Sequence, residues 1–405
     1  MSKKFIILLT VFIDVLGIGI IIPVLPFYVE SFGASAFVVT LLFAVFSFFA
    51  FFSAPLLGAW SDKIGRRPVL IISIFSTALG WIVFAAAGNL FFLFLGRIID
   101  GLAAGNFPIA QSYLLDIAKD DKERTSNLGL IGAIFGVGLI IGPAIGGLLS
   151  AWSISSPFWF VGGLASINFI LALINLPETN QNKNVNKKIE VNPFKPLISA
   201  LQNKSLRLGL LAWFLFCLAI ASQHSIMALY LNAEFNFNSV MVGGVMTLTG
   251  VILIINQGFA LKKFWLKRFK EESLTVWLTL LLACGFFIIG ITYLIIFSIG
   301  IIFVAIAQSV LRATLTSEMT KRGEVNERGM ILGVLNSVMS LGLIFGPLMA
   351  GWLFGIKINL PFLAAGIFGL LAFYILRYDC QKNKNNNKII NEEVLILEEQ
   401  KMELV

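Results

Sequence analysis

In the first half of this sequence three charged side chains stand deep inside long apolar runs: Asp14, Arg97 and Asp100. Asp14 lies about nine residues, or ~14 Å of helical rise, into the first run. A carboxylate at that depth in hydrocarbon is costly and functional by default, and it suits exchange of a proton or another cation between two faces. The alternative is a structural carboxylate capping amides near Gly17 and Gly19. Arg97 and Asp100 are three residues apart, which puts them on one helix face. They either form a permanent ion pair or separate when a proton reaches the carboxylate.

A second charged group sits in GAWSDKIGRRPVL (58–70), between two apolar runs. Plain topological charge accounts for Lys63, Arg66 and Arg67 but not for Asp62 or Gly65. Arg66 has Asp116 or Asp120 as its expected partner, which would make a latch that holds one conformational state and releases in the other.

Uncharged polar residues within the runs are Asn106, Gln111, Gln223, His224, Asn256, Gln257, Gln308 and Asn336. Any one of them is explained by an interhelical hydrogen bond. Together with Trp81, Trp213 and abundant Phe they would line a cavity for an amphipathic aromatic molecule. Arg312 adds a positive charge to that wall; it either meets an anionic substrate group or snorkels towards the nearer face. No phosphate-binding Gly-rich loop, catalytic triad or zinc motif appears, so the expectation is a protein that is not an enzyme, with no metal site of its own. Three cysteines make no disulfide framework.

The elements that must position these residues follow from composition. Of 405 residues 58% are hydrophobic and only 13% charged, with 38 Phe and a mean hydropathy of +0.90. Soluble domains hold roughly 25% charged residues, so a cytosolic enzyme, a disordered chain and a nucleic-acid-binding domain are excluded. Cutting the runs at polar and Gly/Pro breaks yields twelve spans of about 20 residues: 5–30, 38–58, 69–88, 90–117, 127–150, 157–177, 206–231, 239–261, 274–295, 298–317, 330–353 and 359–378. All Lys and Arg except Arg97, Arg312 and Lys357 fall on the side of the N-terminus. The positive-inside rule then places both termini in the cytoplasm of a multi-pass cell (inner) membrane protein. The basic stretch Lys262, Lys263, Lys267, Arg268, Lys270 is either part of that topology signal or a lipid headgroup site.

Residues 178–205 form a polar Asn/Lys linker and 379–405 a polar tail, neither apolar enough to order itself alone. The linker separates a six-span half (1–177) from another (206–378), and an internal repeat supports that division. Residues 123–147 (ERTSNLGLIGAIFGVGLIIGPAIGG) and 327–351 (ERGMILGVLNSVMSLGLIFGPLMAG) align at an offset of 204. Gly142-Pro143 matches Gly346-Pro347; with Gly138, Gly146 and Gly147 these positions are expected to serve close packing and bending. The same offset carries Asp14, Arg97 and Asp100 onto Leu218, Ile301 and Val304. The scaffold is duplicated and the charges are not, so ion coupling is expected in the first half.

These residues resemble a known family. GAWSDKIGRRPVL is similar to the loop signature of the major facilitator superfamily. Gly138-x3-Gly142-Pro143-x2-Gly146-Gly147 resembles the span-five signature of its drug–proton antiporters, and DVLGIGIIIPVLP (14–26) with GRI (96–98) resembles the tetracycline efflux branch. The resemblance implies an all-α fold of twelve transmembrane helices in two pseudo-symmetric halves. It implies export of a hydrophobic drug in exchange for protons, tetracycline as a metal chelate being the leading substrate. It implies no cofactor beyond the proton gradient, a divalent cation only as part of such a chelate, and a monomer as functional unit. It also implies that Asp62 faces a helix N-terminus of the other half. Two features depart from it: the span-three acidic residue of tetracycline exporters is replaced by Gly80-Trp81, and Asp100 and Arg312 are additions. The rival readings are a transporter of a native metabolite or sugar and a non-transporting membrane sensor or scaffold.

Overall fold

The protein, seen as a computed structural model, is described for residues 3–180, 194–203, 205–323 and 328–403. Among these residues no strand occurs and twelve helices, one of them broken, are long and apolar enough to cross a membrane. That is the form an apolar chain must take in lipid, where each backbone N–H and C=O needs an internal partner. The first half holds α1 (Lys3–Glu30), α2 (Ala36–Ile64), α3 (Arg66–Ala85), α4 (Leu90–Leu102), α5 (Asn106–Asp116), α6 (Asp121–Ser150) and α7 (Ser156–Asn175). After α8 (Phe194–Gln202), the second holds α9 (Arg207–Phe235), α10 (Ser239–Ile255), a π-helical stretch (Asn256–Trp265), α11 (Leu266–Arg268), α12 (Glu271–Ile289), α13 (Leu294–Lys321), α14 (Arg328–Ile356) and α15 (Leu360–Glu403).

The repeat is visible as packing. α6 lies along α1, and α14 lies along α9 in the same manner. Gly142 and Gly19 bring α6 and α1 into backbone contact: a Cβ on Gly142 would lie 2.7 Å from the Gly19 Cα. Gly138 and Gly146 continue that face against Val15 and Ile20. On the other copy, Gly346 sits against Leu218, Ala221 and Ser222 of α9. The halves then meet along two seams, α6 with α10 and α2 with α14. Gly147 and Pro143 face Ser239, Val240 and Gly243 across the first seam, which Ser150 closes by donating to the Ser239 hydroxyl at 2.8 Å.

Four elements differ from the sequence expectation. Span four is broken between α4 and α5, because Pro108 has no N–H for the Ala104 carbonyl and its ring crowds that carbonyl. Span eight leaves α geometry at Asn256 and runs as a π-helix to Trp265. The linker is ordered at both ends, at Pro177–Asn180 and in α8, where Leu197 and Ala200 are buried in the second-half core. The tail continues α15 to Glu403; extending an existing helix avoids the cost of nucleation, and the Glu, Leu, Lys and Gln near its end are good helix formers. Residues 181–193 of the linker, Glu327 of the repeat and the last two tail positions lie outside the described residues.

Candidate functional site

The break in span four builds the first cluster. The chain turns at Ala103–Gly105, with the Gly105 N–H donating to the Ala103 carbonyl at 2.7 Å, and helix resumes at Asn106. Asn106 is buried between α1 and α3. Its Nδ2 donates to Asp14 Oδ1 at 3.0 Å and to Thr77 Oγ1 at 3.0 Å. Asp100 of α4 stands near Thr77 at this level, and Asp14 and Asp100 are within electrostatic range of one another. Asp14 therefore touches neither Gly17 nor Gly19 amides in the way a structural cap would; its partner is a side chain from a different span.

Arg97 completes the cluster on weaker terms. Its Nη2 stands 3.6 Å from Asp100 Oδ2, beyond the 2.7–2.9 Å of a strong charge-assisted bond. The guanidinium is boxed by rings instead: Trp81 at 4.5 Å, Phe84 at 4.8 Å and Phe46 at 5.4 Å from its carbon. Such contacts are worth about 2 kcal/mol or more when desolvated. Only 4% of Arg97 is exposed, and its Nε has no acceptor among the described residues. It is held, but by faces that release it more readily than a bidentate carboxylate would.

The space for Asp100 comes from Gly80. A Cβ there would lie 2.8 Å from the Asp100 Cβ and 2.9 Å from the Gly96 carbonyl oxygen. α3 and α4 meet backbone to backbone at this level, so no side chain fits at position 80. The second carboxylate of the cluster is supplied by α4 rather than by span three.

At the basic face, Gly65 ends α2 with φ +119° and starts α3, a backbone conformation that favours glycine. Arg66 pairs with Asp62 at 2.5 Å and with Asp116 at 3.3 Å. Asp120 is committed elsewhere: it caps α6, accepting from the Glu123 N–H at 2.7 Å while Glu123 accepts from Lys119 N–H at 3.0 Å, a reciprocal cap. Asp62 pairs with Arg66 of its own loop; residues 324–327 ahead of α14, where the expected helix N-terminus of the other half would be sought, lie outside the described residues. The carboxylate at a helix N-terminus is Glu178, which sequence reading left in the linker. It accepts from the N–H groups of Arg66 at 2.8 Å and Arg67 at 3.3 Å. Arg67 donates to the Leu173 carbonyl at 2.9 Å, and Asn180 to the Asp62 carbonyl at 2.9 Å. A signal was available: Glu178 is the one acid in 177–189, directly after an apolar run.

The remaining polar residues do not form one cluster. Asn256 is a structural bridge rather than a cavity residue. Its Nδ2 donates to the Ile306 carbonyl at 3.0 Å and to Ser309 at 2.6 Å, and its Oδ1 accepts from Trp265 at 2.8 Å. Gln257 is exposed on the π-helix; Gln111, His224 and Gln308 are half-buried; Asn336 is exposed; Gln223 is buried, with its Oε1 unpartnered among the described residues. Arg312 is exposed on α13. It reaches across to α6, its guanidinium carbon 5.6 Å from the Phe135 ring centre, and Phe135 meets Phe107 of α5 at 6.2 Å. Cys217 and His224 of α9 lie within range of its charge. Among the described residues no group of His, Cys, Asp and Glu is placed to hold a metal ion.

Known proteins agree with this architecture. The model of the Major Facilitator Superfamily matches residues 7–326. The class E tetracycline resistance protein of Escherichia coli is 30% identical over 360 residues, 86% of each chain. Multidrug resistance protein 2 of Bacillus subtilis is 25% identical over 393 residues, 96% of this chain and 97% of its own. Among solved structures, the human organic anion transporter MFSD10 superposes with a TM-score of 0.69 at 22% identity, over 93% of this chain and all of its own. A bacterial homologue of the lysosomal transporter Spinster, inward-facing and occupied, gives 0.72 at 15% identity over 93% and 96%; these two show the fold. With twelve spans, a twice-used six-helix scaffold and a loop signature at the basic face, the chain is a multi-pass membrane transporter that belongs to the Major Facilitator Superfamily, with tetracycline and multidrug resistance proteins as its relatives.

Proposed function

We propose that this transporter exports an amphipathic aromatic drug from the cytoplasm in exchange for entering protons, with tetracycline as the leading substrate. The observation that carries this reading is the hydrogen-bonded set Asp14–Asn106–Thr77, with Asp100 beside it facing a loosely held Arg97. Asn106 fixes Asp14 against α3 and α5, and Asp100 lies within electrostatic range of Asp14, so a proton taken up by either carboxylate changes the charge the other meets. A proton arriving at Asp100 cancels the charge facing Arg97, which the aromatic box then holds alone; that change of partner is a means of linking protonation to helix movement. The cytoplasmic orientation of both termini rests on the distribution of Lys and Arg. The Asp62–Arg66–Asp116 contacts on that side serve as the latch of one state. The driving force is the proton gradient, a divalent cation enters only as part of a substrate chelate, and the monomer is the working unit.

Everted vesicles with an imposed pH gradient test this. Drug-induced proton release is expected in the wild type and absent in Asp14→Asn. Flux that survives that substitution unchanged would remove Asp14 from coupling. A wider drug range is a second reading, favoured by Gly80, where no acidic side chain fits. A susceptibility panel in an efflux-deficient host separates the two: tolerance that rises for dyes and other drugs but not for tetracycline favours the wider range.

A further inference from the structure

The loop that follows span eight is the counterpart of the charged loop after span two. Adding 204 carries Lys63 and Arg66 onto Lys267 and Lys270, so basic charge is kept at both positions. The carboxylates are not kept. Asp62, Asp116 and Glu178, which surround the first loop, map onto Leu266, Thr320 and Lys382. The result is a row of cations, Lys262, Lys263, Lys267, Arg268 and Lys270, all exposed and none in an ion pair among the described residues. The nearest acids are engaged elsewhere: Glu271 pairs with Lys321, and Glu272 accepts from the Cys380 thiol at 3.8 Å. Other basic groups on this face do meet carboxylates, Arg124 with Asp121 and Arg322 with Asp379.

The loop is also built as a surface. The π-helix is fixed from beneath by Trp265 donating to Asn256, which is bound in turn to Ile306 and Ser309 of α13. On its outer side Phe259 is 62% exposed, and Phe269 is 47% exposed beside the cations. Arg268 stacks over Phe264 at 4.7 Å. An open groove of about 490 Å³ runs along Leu266–Glu271. Topological charge alone requires basic residues in a loop; it does not require a helical platform with exposed rings beside cations that form no ion pair among the described residues. We propose that this platform binds the headgroup of an anionic phospholipid of the adjoining leaflet, the rings resting among acyl chains and the cations on the phosphate.

Lysine acetylation of the purified full-length protein in nanodiscs tests the proposal without a variant. In phosphatidylglycerol discs Lys262, Lys263 and Lys267 are expected to react about tenfold more slowly than in phosphatidylcholine discs. Lys119 and Lys122, equally basic but beside Asp120, Asp121 and Glu123, are expected to show no such difference. Equal protection at both groups, or none at either, would overturn the site in favour of general surface charge. Protection by inorganic phosphate in phosphatidylcholine discs would overturn the lipid as its source. Replacing Lys262, Lys263, Lys267 and Arg268 together by Gln is expected to abolish preferential phosphatidylglycerol retention in native mass spectrometry, whereas Lys119→Gln with Lys122→Gln retains it; retention by both variants would also overturn the proposal.

Discussion

The two halves of this transporter share a skeleton and little of its chemistry. Each lays a Gly-Pro helix along its first span, α6 on α1 and α14 on α9, and each sends that helix across a seam to the other half. The cluster of carboxylates and arginine is one-sided. Asp14, Thr77, Arg97, Asp100 and Asn106 have Leu218, Leu281, Ile301, Val304 and Val310 at the equivalent positions. Duplication thus preserves the helix packing, because the contacts of small residues survive in both copies. Charge at membrane depth is expensive, and the proposed coupling asks for it in one copy alone. The basic face repeats the lesson: the first loop is neutralised by carboxylates, the second is left open.

The largest effect is expected from moving the carboxylate across. In the double variant Asp14→Leu with Leu218→Asp, coupled export should remain at least about a hundredfold below wild type. The second half offers Val310 where Asp14 has Asn106, and Leu281 where Asn106 has Thr77, and an unpartnered carboxylate in a span costs about 3 kcal/mol. Drug-driven proton flux in proteoliposomes checks this; recovery of coupling would mean that the halves are interchangeable and that the hydrogen-bonded partners do not matter. Next in size are Gly142→Val and Gly346→Val. Each adds a branched side chain to a backbone-to-backbone contact, and overpacking of that kind costs about 1–3 kcal/mol. Both should lower transport by a similar factor, about tenfold to a hundredfold, and lower the melting temperature in detergent. A silent variant on one side would break the equivalence of the two scaffolds.

Arg97→Lys sharpens the contrast within the charged half. An ammonium keeps the charge but not the flat face that three rings enclose, so loss of about 1–2 kcal/mol is expected. Coupled flux should fall about tenfold while the fold, followed by thermal unfolding, stays intact. If the Arg97→Lys variant carried wild-type flux, charge alone would suffice and the aromatic box would be packing.

Much of this was legible in the sequence, because hydropathy and the spacing of Gly and Pro are local quantities. All twelve spans, the duplication at 204 residues and the charged positions at membrane depth are read directly from residue types. The partners were not, since each depends on which spans touch. Thr77 is one hydroxyl among many until α3 meets α5, and Phe46, Trp81 and Phe84 become a box only around Arg97. Asn256 reads as a cavity residue by composition, yet the π-helix it opens brings Trp265 within 2.8 Å of it, a turn that periodicity does not announce. The break before α5 was readable in part, since Pro108 stands mid-span; that the break would aim Asn106 at Asp14 was not.

The smallest expected effect falls on Glu178, and it probes the basic face. Its carboxylate accepts two N–H groups at the start of α3, where a negative charge contributes about 0.3–1 kcal/mol and more when partly buried. The packing is tight: a Cβ on Gly65 would press into the Glu178 carboxylate. In Glu178→Ala the amides of Arg66 and Arg67 lose their acceptors, so their hydrogen exchange should quicken by about threefold to tenfold. Transport should fall by no more than a similar factor, because Arg66 keeps Asp62 and Asp116. Lys382 occupies the equivalent place in the second half, and Lys382→Ala should leave exchange at Lys270 and Glu271 unchanged. Equal responses in the two variants would mean that the linker steadies both halves alike. A response at α3 alone places the linker's first residues within the first half, as a brace on the loop that carries Asp62, Arg66 and Arg67.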